Sequence, residues 1–438
     1  MPSLDYREAV HTLYGLQRFG VKLGLEKISS FLAALGNPHH AFLSCHIAGT
    51  NGKGTCAAVV DAALAAHGVR SGLYTSPHLV SMRERIRTGG QCIPENFVAG
   101  WVSEHLDYVL RNRVTFFETV TAMAFDYFRH REVAAAAVEV GLGGSYDATN
   151  VVAPAVAVIT SIGLEHTRYL GGTIASIAGE KAGIAKPGAP LLCGERKRAA
   201  VRVIGRITGR AGGSLHLLDD AVSVSRVKHL PQGTQFSFSG PELRLGDAFV
   251  PLYGVHNLRN VALGLWAAQL MIVRLGLSLQ EEAFRLALKQ LSWPARFQIL
   301  KPGDGPELVL DVAHNPAAAQ KLSRLFQRIY GPRPGLVVAA LAGDKDHGKF
   351  IRYLLKMADR FIFPHVDFGR AESGFGGCDP ETLKDLVGKY SPEAVARVSP
   401  RMEDALEQAF RLASGRPVVV TGSFHTVGEA MRILKVKA

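Results

Sequence analysis

The feature that most constrains the fold of this chain is the glycine-rich turn HIAGTNGKGT at residues 46–55. The apolar run before it, residues 42–48, predicts a strand, and the alanine-rich run after it, residues 56–66, predicts a helix. The turn therefore lies where a strand leads into a helix N-terminus, and the unpaired backbone N–H groups of such a terminus favour anions. We interpret it as a phosphate-binding loop, in which Lys53 adds a positive charge and Thr55 offers a hydroxyl to a phosphate-bound Mg²⁺.

The spacing within this loop differs from the common nucleotide-binding pattern. That pattern has Ser or Thr directly after the lysine, whereas here Gly54 separates Lys53 from Thr55. The alternative interpretation is a turn of small residues with a surface lysine. The predicted strand and helix on either side favour nucleotide binding.

Length and composition predict a soluble protein of two or three domains. The 438 residues exceed one ordinary core, and 47% hydrophobic with 20% charged residues is typical of globular proteins. The first residues lack the pattern of a signal peptide, and no apolar run approaches membrane-spanning length. The five cysteines are far apart and form no C-x-x-C pair, which indicates neither a disulfide framework nor a zinc site. We therefore expect a cytoplasmic protein.

The net charge of +12 raises the question of a nucleic-acid partner. The basic residues are dispersed, with the densest patches at residues 83–87 and 195–198. No aromatic-basic alternation accompanies them, so polyanionic small substrates explain the charge as well as nucleic acid does. We expect small-molecule substrates, with no nucleic-acid or membrane partner.

The order of strand-like and helix-like segments predicts an α/β fold with parallel sheets in two domains. The first series runs from residue 42 to about 192 and includes apolar strands at 133–140 and 155–160. Glycine-rich, β-prone segments between about 201 and 249 predict a small antiparallel insertion. Beyond the boundary WPAR at 293–296, the further strand candidates are residues 308–312, 336–341, 360–365 and 417–421.

A carboxylate and a histidine follow successive strands of the first series. Glu139 closes the strand at 133–140, and a carboxylate at a strand end beside a phosphate loop is well placed to hold Mg²⁺. The alternative for Glu139 is a strand-end side chain that faces water. His166 follows the next strand, and alone it would be a loop histidine with a structural hydrogen bond. Its interest comes from sharing a sheet edge with Glu139 and the phosphate loop.

Lys181 lies in an apolar helical stripe that also contains Ile174, Ile177, Ala178 and Ile184. Two interpretations are open. Desolvation lowers the pKa of an ammonium group, so Lys181 can be a neutral amine that adds CO₂ and becomes a metal-binding carbamate. Alternatively, it snorkels to water from the end of the stripe.

Other polar residues stand at helix starts and strand ends. Thr115 and Glu118 have capping-box spacing, so structural capping is the default interpretation and a substrate contact the alternative. In the second series, Asp311, His314 and Asn315 follow one strand, and Ser423 and His425 follow another. Both sets lie where that sheet should present its ligand edge, although either is also compatible with ordinary turn chemistry.

Together these segments resemble the folylpolyglutamate synthase/dihydrofolate synthase branch of the muramyl-ligase-like ATP-dependent amide ligases. The resemblance covers nearly the whole chain, and its motifs occur in the family's order. They are GTNGKGT at 49–55, TSPHL at 75–79, VEVGLGG at 138–144, DATN at 147–150, SIGLEHT at 161–167, EKAGI at 180–184, WPARFQ at 293–298 and DVAHNP at 311–316.

The resemblance implies a P-loop ATPase domain over residues 1–295, with a small β insertion near 201–250, and a smaller Rossmann-like ligase domain over residues 296–438. It implies a monomer that joins L-glutamate to dihydropteroate, to reduced folate or to both. The reaction would proceed through an acyl phosphate, giving ADP and phosphate. ATP and two Mg²⁺ ions are the implied cofactors.

The family's residue roles carry over to matching positions. The ATP-binding residues would be Gly49, Thr50, Asn51, Gly52, Lys53, Gly54, Thr55, Asn260, Arg296 and Asp311. The magnesium ligands would be Thr55, Ser76, Glu139, His166 and Lys181 as its carbamate. The catalytic residues would be Lys53, Lys181 and His314, with His314 and Ser423 near the incoming amino acid or the transferred phosphate. The pterin pocket would draw on Lys22, Leu23, Gly24, Leu25, Thr115, Tyr146 and Asp147.

Three positions depart from the family's usual pattern. Ser145 stands where Arg is frequent, and Ala295 and Val312 stand where Gly is common. The absence of a guanidinium at position 145 removes a fork-shaped carboxylate binder, which bears on substrate preference and polyglutamate handling. The rival functions are a muramyl ligase with UDP-linked acceptors, a P-loop switch or transport ATPase, and a basic nucleic-acid-binding protein.

Overall fold

The computed structural model of this chain describes residues 4–20, 24–301, 303, 305–332, 334–368 and 376–437. The chain divides into two units. The first comprises Met1–Pro77, Met82–Pro251 and Val255–Leu291, and the second comprises His78–Ser81, Leu252–Gly254 and Ser292–Ala438. Among the described residues, none of the helices combines the length and the apolar character needed to cross a membrane.

The first unit is built on a mainly parallel sheet. Its strands are β1 (Leu43–Ala48), β2 (Ser71–Tyr74), β3 (Ile86–Thr88), β4 (Gln91–Cys92), β5 (Ala135–Glu139), β6 (Val156–Ile159), β7 (Pro190–Cys193) and β8 (Ser214–Leu217). They lie in the order β4-β3-β2-β5-β1-β6-β7-β8, and only the β2–β3 and β3–β4 pairs at one edge are antiparallel within this described sheet. The register pairs Ile47 with Glu139 and Ala48 with Ile159, so the carboxyl ends of β5, β1 and β6 lie side by side.

Helices cover both faces of this sheet. They are α1 (Tyr6–Gly15), α2 (Glu26–Ala34), α3 (Lys53–Ala66), α4 (Glu95–Arg111), α5 (Phe116–His130), α6 (Thr167–Leu170), α7 (Ile174–Ala182), α8 (Arg198–Arg210), α9 (Leu218–Ala221), α10 (Val255–Arg274) and α11 (Glu281–Lys289). A methyl group at Gly264 of α10 would lie 2.7 Å from Val59 Cβ of α3, so the absence of a side chain lets these two helices pack closely. Thr115 caps α5 through the predicted capping box with Glu118, which confirms the structural interpretation.

The small antiparallel sheet begins later than the sequence predicts. Its strands are β9 (Ser223–Leu230), β10 (Gly233–Ser239) and β11 (Arg244–Val250), in the order β11-β10-β9. The expectation of β structure from about residue 201 is wrong for the first stretch, because α8 occupies Arg198–Arg210. The reason is its helical periodicity, since Ala200, Ile204 and Thr208 recur every four residues and are buried.

The second unit contains a six-stranded sheet among its described residues. Its strands are β12 (Arg296–Leu300), β13 (Leu308–Asp311), β14 (Gly335–Ala339), β15 (Ala358–Pro364), β16 (Val395–Ser399) and β17 (Val418–Thr421), in the order β12-β13-β17-β14-β15-β16. Only β12 pairs antiparallel within that sheet. The helices are α12 (Pro316–Tyr330), α13 (His347–Leu354), α14 (Pro380–Tyr390), α15 (Met402–Leu412) and α16 (Phe424–Ile433). Two hydrophobic clusters are built around this sheet.

A buried carboxyl on α3 makes the stability of the first unit depend on pH. Asp61 is 7% exposed and accepts a hydrogen bond from the Ser71 hydroxyl at 2.6 Å. Burial raises the pKa of Asp61 from its ordinary 3.8 to about 6, although Ser71 and Arg87 oppose this shift. Since the folded state holds the proton more tightly, the stability from this group is complete below about pH 4 and is lost as the pH rises through 6.

We expect Asp61→Asn to remove this pH dependence. The variant should match the wild type at pH 4 and exceed its free energy of unfolding by roughly 2 kcal/mol at pH 7.5, because an amide is not charged when buried. Urea denaturation at the two pH values measures the difference. Asp107→Asn, at an exposed position of α4, is the control and should show no such pH-dependent gain. Parallel curves for wild type and Asp61→Asn would contradict the assignment.

Candidate active site

The glycine-rich loop joins β1 to α3 and is fixed by the segment that follows β6. The backbone N–H of Thr50 donates to the C=O of Ser161 at 2.7 Å, and the Thr50 hydroxyl accepts from the N–H of Gly163 at 3.0 Å. The C=O of Asn51 accepts from the hydroxyls of Thr160 and Ser161 at 2.9 and 3.1 Å. The two loops that follow neighbouring strands are therefore held together as one edge of the site.

Two glycines of the loop have no room for a side chain. Gly49 has a φ of +142°, and a methyl group there would lie 1.9 Å from Thr160 Oγ1. Gly52 has a φ of +93°, and a methyl group there would lie 2.2 Å from the side-chain amide of Asn260. Both positions need glycine for backbone conformation and for close approach. The second contact places Asn260 of α10 directly against the loop.

Thr55 carries a hydroxyl that is not satisfied within the described part of the chain. It lies in the first turn of α3, is 1% exposed, and its Oγ1 has no hydrogen-bond partner there. An unsatisfied buried hydroxyl costs about 1–3 kcal/mol, so buried polar groups are normally paired. A ligand or metal ion at the loop is a natural partner for this oxygen, as the predicted role of Thr55 requires.

Glu139 lies at the end of β5 and faces the loop. It is 4% exposed, its Oε1 lies 3.7 Å from Lys53 Nζ, and its Oε2 accepts from the backbone N–H of Ser76 at 3.2 Å. The alternative of a strand-end carboxylate that faces water is therefore wrong. Lys53 and Ser76, which follow different strands, meet at this one carboxylate.

Lys181 is fully enclosed in the fold. Its side chain is 3% exposed, and its Nζ lies 2.7 Å from Glu165 Oε1 and donates to the C=O of Gly49 at 3.1 Å. The snorkelling interpretation is therefore wrong, because the ammonium group lies against the glycine-rich loop rather than in water. Burial lowers the pKa of Lys181, and Lys53 adds to this shift while Glu165 opposes it.

Glu165 is the main acidic partner in this cluster, and the sequence argument gave it no role. Burial acts to raise the pKa of its carboxyl, but Lys181 and Lys53 outweigh burial and bring the pKa to about 2. Glu165 is therefore a carboxylate at neutral pH. Its neighbour His166 has a left-handed backbone with φ of +45° and is the N-cap residue of α6. The only available sequence signal was the position of Glu165 directly before a candidate metal ligand.

A second set of missed residues holds the loop that carries Glu165. The carboxylate of Glu195 is buried and accepts from the backbone N–H groups of Ile162, Arg196 and Lys197. Lys197 Nζ donates to the C=O of Ile162 at 2.7 Å. The segment that follows β7 thus binds both the N–H and the C=O of Ile162. In the sequence these residues were only part of a basic patch.

Only some of the predicted metal ligands are of the residue types that commonly bind metal ions. No group of three or more His, Cys, Asp or Glu side chains is placed to hold a metal ion among the residues that the structure describes. The predicted set contains just two such residues, Glu139 and His166, and otherwise relies on the hydroxyls of Thr55 and Ser76 and on modified Lys181. The buried oxygen of Thr55, which has no partner in the described part of the chain, fits a hard cation such as Mg²⁺. The magnesium site stays a prediction.

The predicted pterin residues lie in three separate segments. Asp147 is buried, and its Oδ2 accepts from the N–H of Leu142 at 2.7 Å while its Oδ1 accepts from the N–H of Thr149 at 3.0 Å. Burial raises the pKa of Asp147, although these hydrogen bonds oppose it. The neighbouring Tyr146 is 52% exposed. Thr115 is engaged in its cap.

Two of the remaining pterin candidates, Gly24 and Leu25, directly precede α2. Gly24 has a φ of +143°, and Leu25 is the residue before the first turn of that helix. Lys22 and Leu23 lie outside the described residues. Ser145, which stands where the family often has Arg, donates its hydroxyl to the C=O of Glu180 at 3.1 Å. Its side chain is therefore turned toward the end of α7.

The second unit carries its own group of predicted residues at the carboxyl edge of its sheet. Asp311, at the end of β13, accepts from the N–H groups of Phe297 and Ala313 at 2.9 and 2.8 Å. Burial raises the pKa of Asp311 to about 6, although Arg296 opposes the shift. Arg296 is paired in register with Asp311, and its guanidinium lies over the ring of Phe424 at 5.2 Å.

The other residues of this edge also have structural roles. His314 Nδ1 lies 2.9 Å from the C=O of Val312, and Ser423 caps α16 by accepting from the N–H of Thr426 at 2.9 Å. Asn315 caps α12 in the same way, which is ordinary turn chemistry. Ala295 has a left-handed φ of +57°. Glycine adopts this conformation at no steric cost, so the backbone explains why glycine suits this position.

Both units match one enzyme family. Residues 47–268 match the Mur ligase middle domain, and residues 295–424 match the Mur ligase, glutamate ligase domain. The dihydrofolate synthase/folylpolyglutamate synthase of Bacillus subtilis is 33% identical over 98% of this chain and 99% of its own. The chain belongs to the folylpolyglutamate synthase/dihydrofolate synthase branch of the Mur ligase family.

Two further comparisons extend this result. A probable bifunctional folylpolyglutamate synthase/dihydropteroate synthase of Haloferax volcanii is 36% identical over 98% of this chain, which spans about 50% of that longer protein. A solved folylpolyglutamate synthase of Mycobacterium tuberculosis, complexed with ADP and AMPPCP, superposes with a TM-score of 0.88 at 31% identity over 97% of this chain and 98% of its own. The predicted family, the ATP-dependent ligase class and the α/β fold class are confirmed.

The first unit of this Mur ligase gathers most of its predicted residues around one loop. Contacts link the glycine-rich loop, Ser76, Glu139, Lys181 and Asn260, and His166 is adjacent to Glu165 in the same group. Arg296, Asp311, His314 and Ser423 form a separate group in the second unit. The individual roles of these residues stay predictions.

We expect Thr55→Val to separate stability from activity in this ligase. Valine has nearly the same shape and removes a hydroxyl that has no partner among the described residues, so the unfolding midpoint should be unchanged or slightly higher. Turnover should fall about tenfold to a hundredfold, since an oxygen for Mg²⁺ is lost. Thermal unfolding and ATP turnover at several Mg²⁺ concentrations test this. A stable variant with wild-type turnover would contradict the predicted role.

Proposed function

We propose that this ligase uses ATP to join L-glutamate to the carboxylate of dihydropteroate, of a reduced folate or of both. The relatives named above carry these activities in their names. The observation that carries the proposal is the cluster at the glycine-rich loop. Two lysines, two carboxylates and a hydroxyl that has no partner among the described residues converge on a loop with space only for glycine at two positions.

The chemistry explains why ATP is needed. A carboxylate resists attack by an amine because oxide is a poor leaving group. Transfer of the γ-phosphoryl group to the acceptor carboxylate gives an acyl phosphate and ADP. The amine of glutamate then attacks the acyl carbon, and the tetrahedral intermediate collapses to the amide and inorganic phosphate.

The residues of the cluster have distinct proposed roles. Lys53 and the loop N–H groups stabilise negative charge on the group in transfer, an effect worth several kcal/mol in comparable sites. Thr55, Ser76, Glu139 and His166 would hold Mg²⁺, which supplies charge neutralisation on the phosphates. Glu165 and Lys181 fix one side of the loop.

The second unit contributes a further set. Asn260 in the first unit and Arg296 and Asp311 in the second are the proposed nucleotide contacts. His314 and Ser423 are the proposed contacts of glutamate or of the transferred phosphate. The carbamate of Lys181 would replace its ammonium charge by a negative one, and an intact-mass measurement of the protein kept in bicarbonate detects the added CO₂.

The deciding experiment is phosphate release from Mg-ATP with L-glutamate, with dihydropteroate and tetrahydrofolate compared as acceptors. Turnover with both acceptors establishes a bifunctional ligase, and turnover with tetrahydrofolate alone restricts it to polyglutamylation. Release that needs neither acceptor would indicate a simple ATPase. No acceptor-dependent release from the folded protein would overturn the proposal, and UDP-linked muramyl acceptors would be tried next.

A further inference from the structure

The outer face of α8 carries a line of arginines that the proposed reaction leaves unused. Arg198, Arg202, Arg206 and Arg210 recur at every fourth residue, and all four are exposed. Residues four apart lie above one another on a helix, so the four guanidinium groups form one stripe, which we call the arginine stripe. Within the described residues, none of the four side chains makes a hydrogen bond or an ion pair.

The opposite face of α8 is what anchors the helix in the fold. Ala200, Ile204 and Thr208 are buried on that face. Ala200 and Ile204 belong to the same hydrophobic cluster as Ile177 and Ala178 of α7. Apolar packing therefore accounts for one side of α8 and leaves the arginines without a structural explanation.

The stripe is unusual because its charges have one sign. Like charges four residues apart destabilise a helix, and solvated helix faces normally mix acidic with basic residues. Residues 196–218 contain no Asp or Glu. Arg196 and Lys197 add positive charge at the N-terminus of α8, where the helix dipole also disfavours cations. Arg196 pairs with Asp219 and Lys197 with Glu195, and neither acid pairs with the stripe. The stripe thus has the chemistry of a polyanion-binding surface.

One end of the stripe is attached to the candidate active site. Lys197, directly before α8, and Glu195 hold Ile162, which lies three residues before Glu165. Because α8 connects the parallel strands β7 and β8, it runs back from the carboxyl edge of the sheet. From Arg198 to Arg210 the helix rises about 18 Å. The arginine stripe therefore starts beside the segment of Ile162 and Glu165, which supports the glycine-rich loop, and runs away from that loop.

We propose that the arginine stripe binds the γ-linked glutamate tail of the folate acceptor, an inference that rests on the proposed glutamate ligase activity. A γ-glutamyl unit contributes five backbone bonds to its chain, whereas a residue of an ordinary peptide contributes three and spans about 3.5 Å. The extended repeat of the γ-linked chain is therefore about 6 Å. Residues four apart on a helix are also separated by about 6 Å along the axis. Each γ-glutamyl unit carries one free α-carboxylate, and a guanidinium binds a carboxylate through two parallel hydrogen bonds.

Nucleic acid is the competing polyanion for such a stripe. The connection of its first turn to the candidate active site favours the tail, because that tail is the part of the acceptor that grows there. An α-linked glutamate peptide has the same charge but a repeat of only about 3.5 Å, against about 6 Å for the γ-linked chain. Both chains alternate their carboxylates when fully extended, but the two methylene groups of each γ-linked unit let successive carboxylates turn to one side. The spacing therefore predicts a preference for γ-linked over α-linked glutamate.

The kinetic test uses the full chain and two acceptors, a monoglutamyl folate and one with four further γ-linked glutamates. In the triple variant Arg202→Gln, Arg206→Gln, Arg210→Gln, we expect KM for the long acceptor to rise about tenfold or more. KM for the short acceptor, KM for ATP and kcat should change less than about twofold, since the stripe touches neither the nucleotide nor the reacting atoms. An equal rise for both acceptors, or none for the long one, would overturn the inference.

Two matched triple variants separate the stripe from net charge. Arg7→Gln, Arg131→Gln, Arg274→Gln removes the same charge from exposed positions elsewhere in the first unit and should leave the tail-length effect intact. Changing the three stripe arginines to lysine should retain most of the affinity, because the charges stay while the bidentate geometry is lost. Loss of the tail-length effect in the first of these variants would show that net charge, not the stripe, is responsible.

A direct binding measurement is independent of turnover. Fluorescence anisotropy compares a labelled γ-linked pentaglutamate with an α-linked pentaglutamate and with an oligodeoxynucleotide. Arginine-dependent binding that is tightest for the γ-linked peptide supports the inference. If that binding is found while no folate acceptor is turned over, the proposed function is wrong but the arginine stripe still binds γ-linked glutamate. If folates are turned over but the Gln variant binds the γ-linked peptide like wild type, the stripe inference alone fails. If only the oligonucleotide shows arginine-dependent binding, the ligand of the arginine stripe is nucleic acid and not the glutamate tail.

Discussion

Lys53→Met is expected to reduce acceptor-dependent phosphate release by about a thousandfold while the protein stays folded. Lys53 begins α3, its side chain is 15% exposed, and its Nζ lies 3.7 Å from Glu139 Oε1. The ammonium group thus belongs to the residue that directly follows the last loop glycine before α3, where the γ-phosphoryl group is expected. Such a charge acts most strongly on the transition state, so kcat should fall more than KM for ATP rises.

Controls for this prediction come from the same chain. Lys289→Met makes the same change at an exposed position of α11 and should leave turnover within about twofold of wild type. Lys53→Arg keeps the charge but not the shape and should retain an intermediate rate. Thermal unfolding of each variant checks that the fold is intact. If Lys53→Met keeps more than a tenth of the wild-type kcat, the loop does not bind the transferring phosphate as proposed.

The sequence predicted the site best where local chemistry was enough. The loop at 49–55 combined a strand, two glycines that need their backbone conformation and a helix start, and these features depend on nearby residues only. The strands 308–312 and 417–421 were found for the same reason, since buried parallel strands are short apolar runs. The capping box of Thr115 and Glu118 is also a local pattern.

The sequence failed where a role depends on a distant partner. Glu165 and Lys181 are sixteen residues apart, and only the packing of α7 against the edge of the sheet brings them to 2.7 Å. Glu195 gave no signal, because it acts mainly by accepting hydrogen bonds from three backbone N–H groups, which no sequence pattern records. The helix α8 was missed in favour of strand because glycines at 205 and 209 hid its four-residue apolar repeat.

Glu165→Gln is expected to lower the free energy of unfolding of the first unit by about 3 kcal/mol. Glutamine keeps the shape and an oxygen that can accept from Lys181, so the change removes only the counter-charge of a buried ammonium group. Removing one partner of a buried ion pair is far more destabilising than removing the pair, because the other charge is left unpaired. The double variant Glu165→Gln, Lys181→Met should therefore be more stable than the sum of the single variants predicts.

Urea denaturation followed by tryptophan fluorescence measures this difference, since two of the three tryptophans, Trp101 and Trp266, lie in the first unit. The matched control is Glu132→Gln, which breaks the surface ion pair with Arg70. The side chains of Arg70 and Glu132 are 60% and 79% exposed. A surface pair contributes about 0–1 kcal/mol, so this variant should remain close to wild type. Equal losses in the Glu165 and Glu132 variants, or strict additivity in the double variant, would show that Glu165 and Lys181 are not coupled. A large loss confined to Glu165→Gln would instead show that the buried ion pair of Glu165 and Lys181 stabilises the first unit.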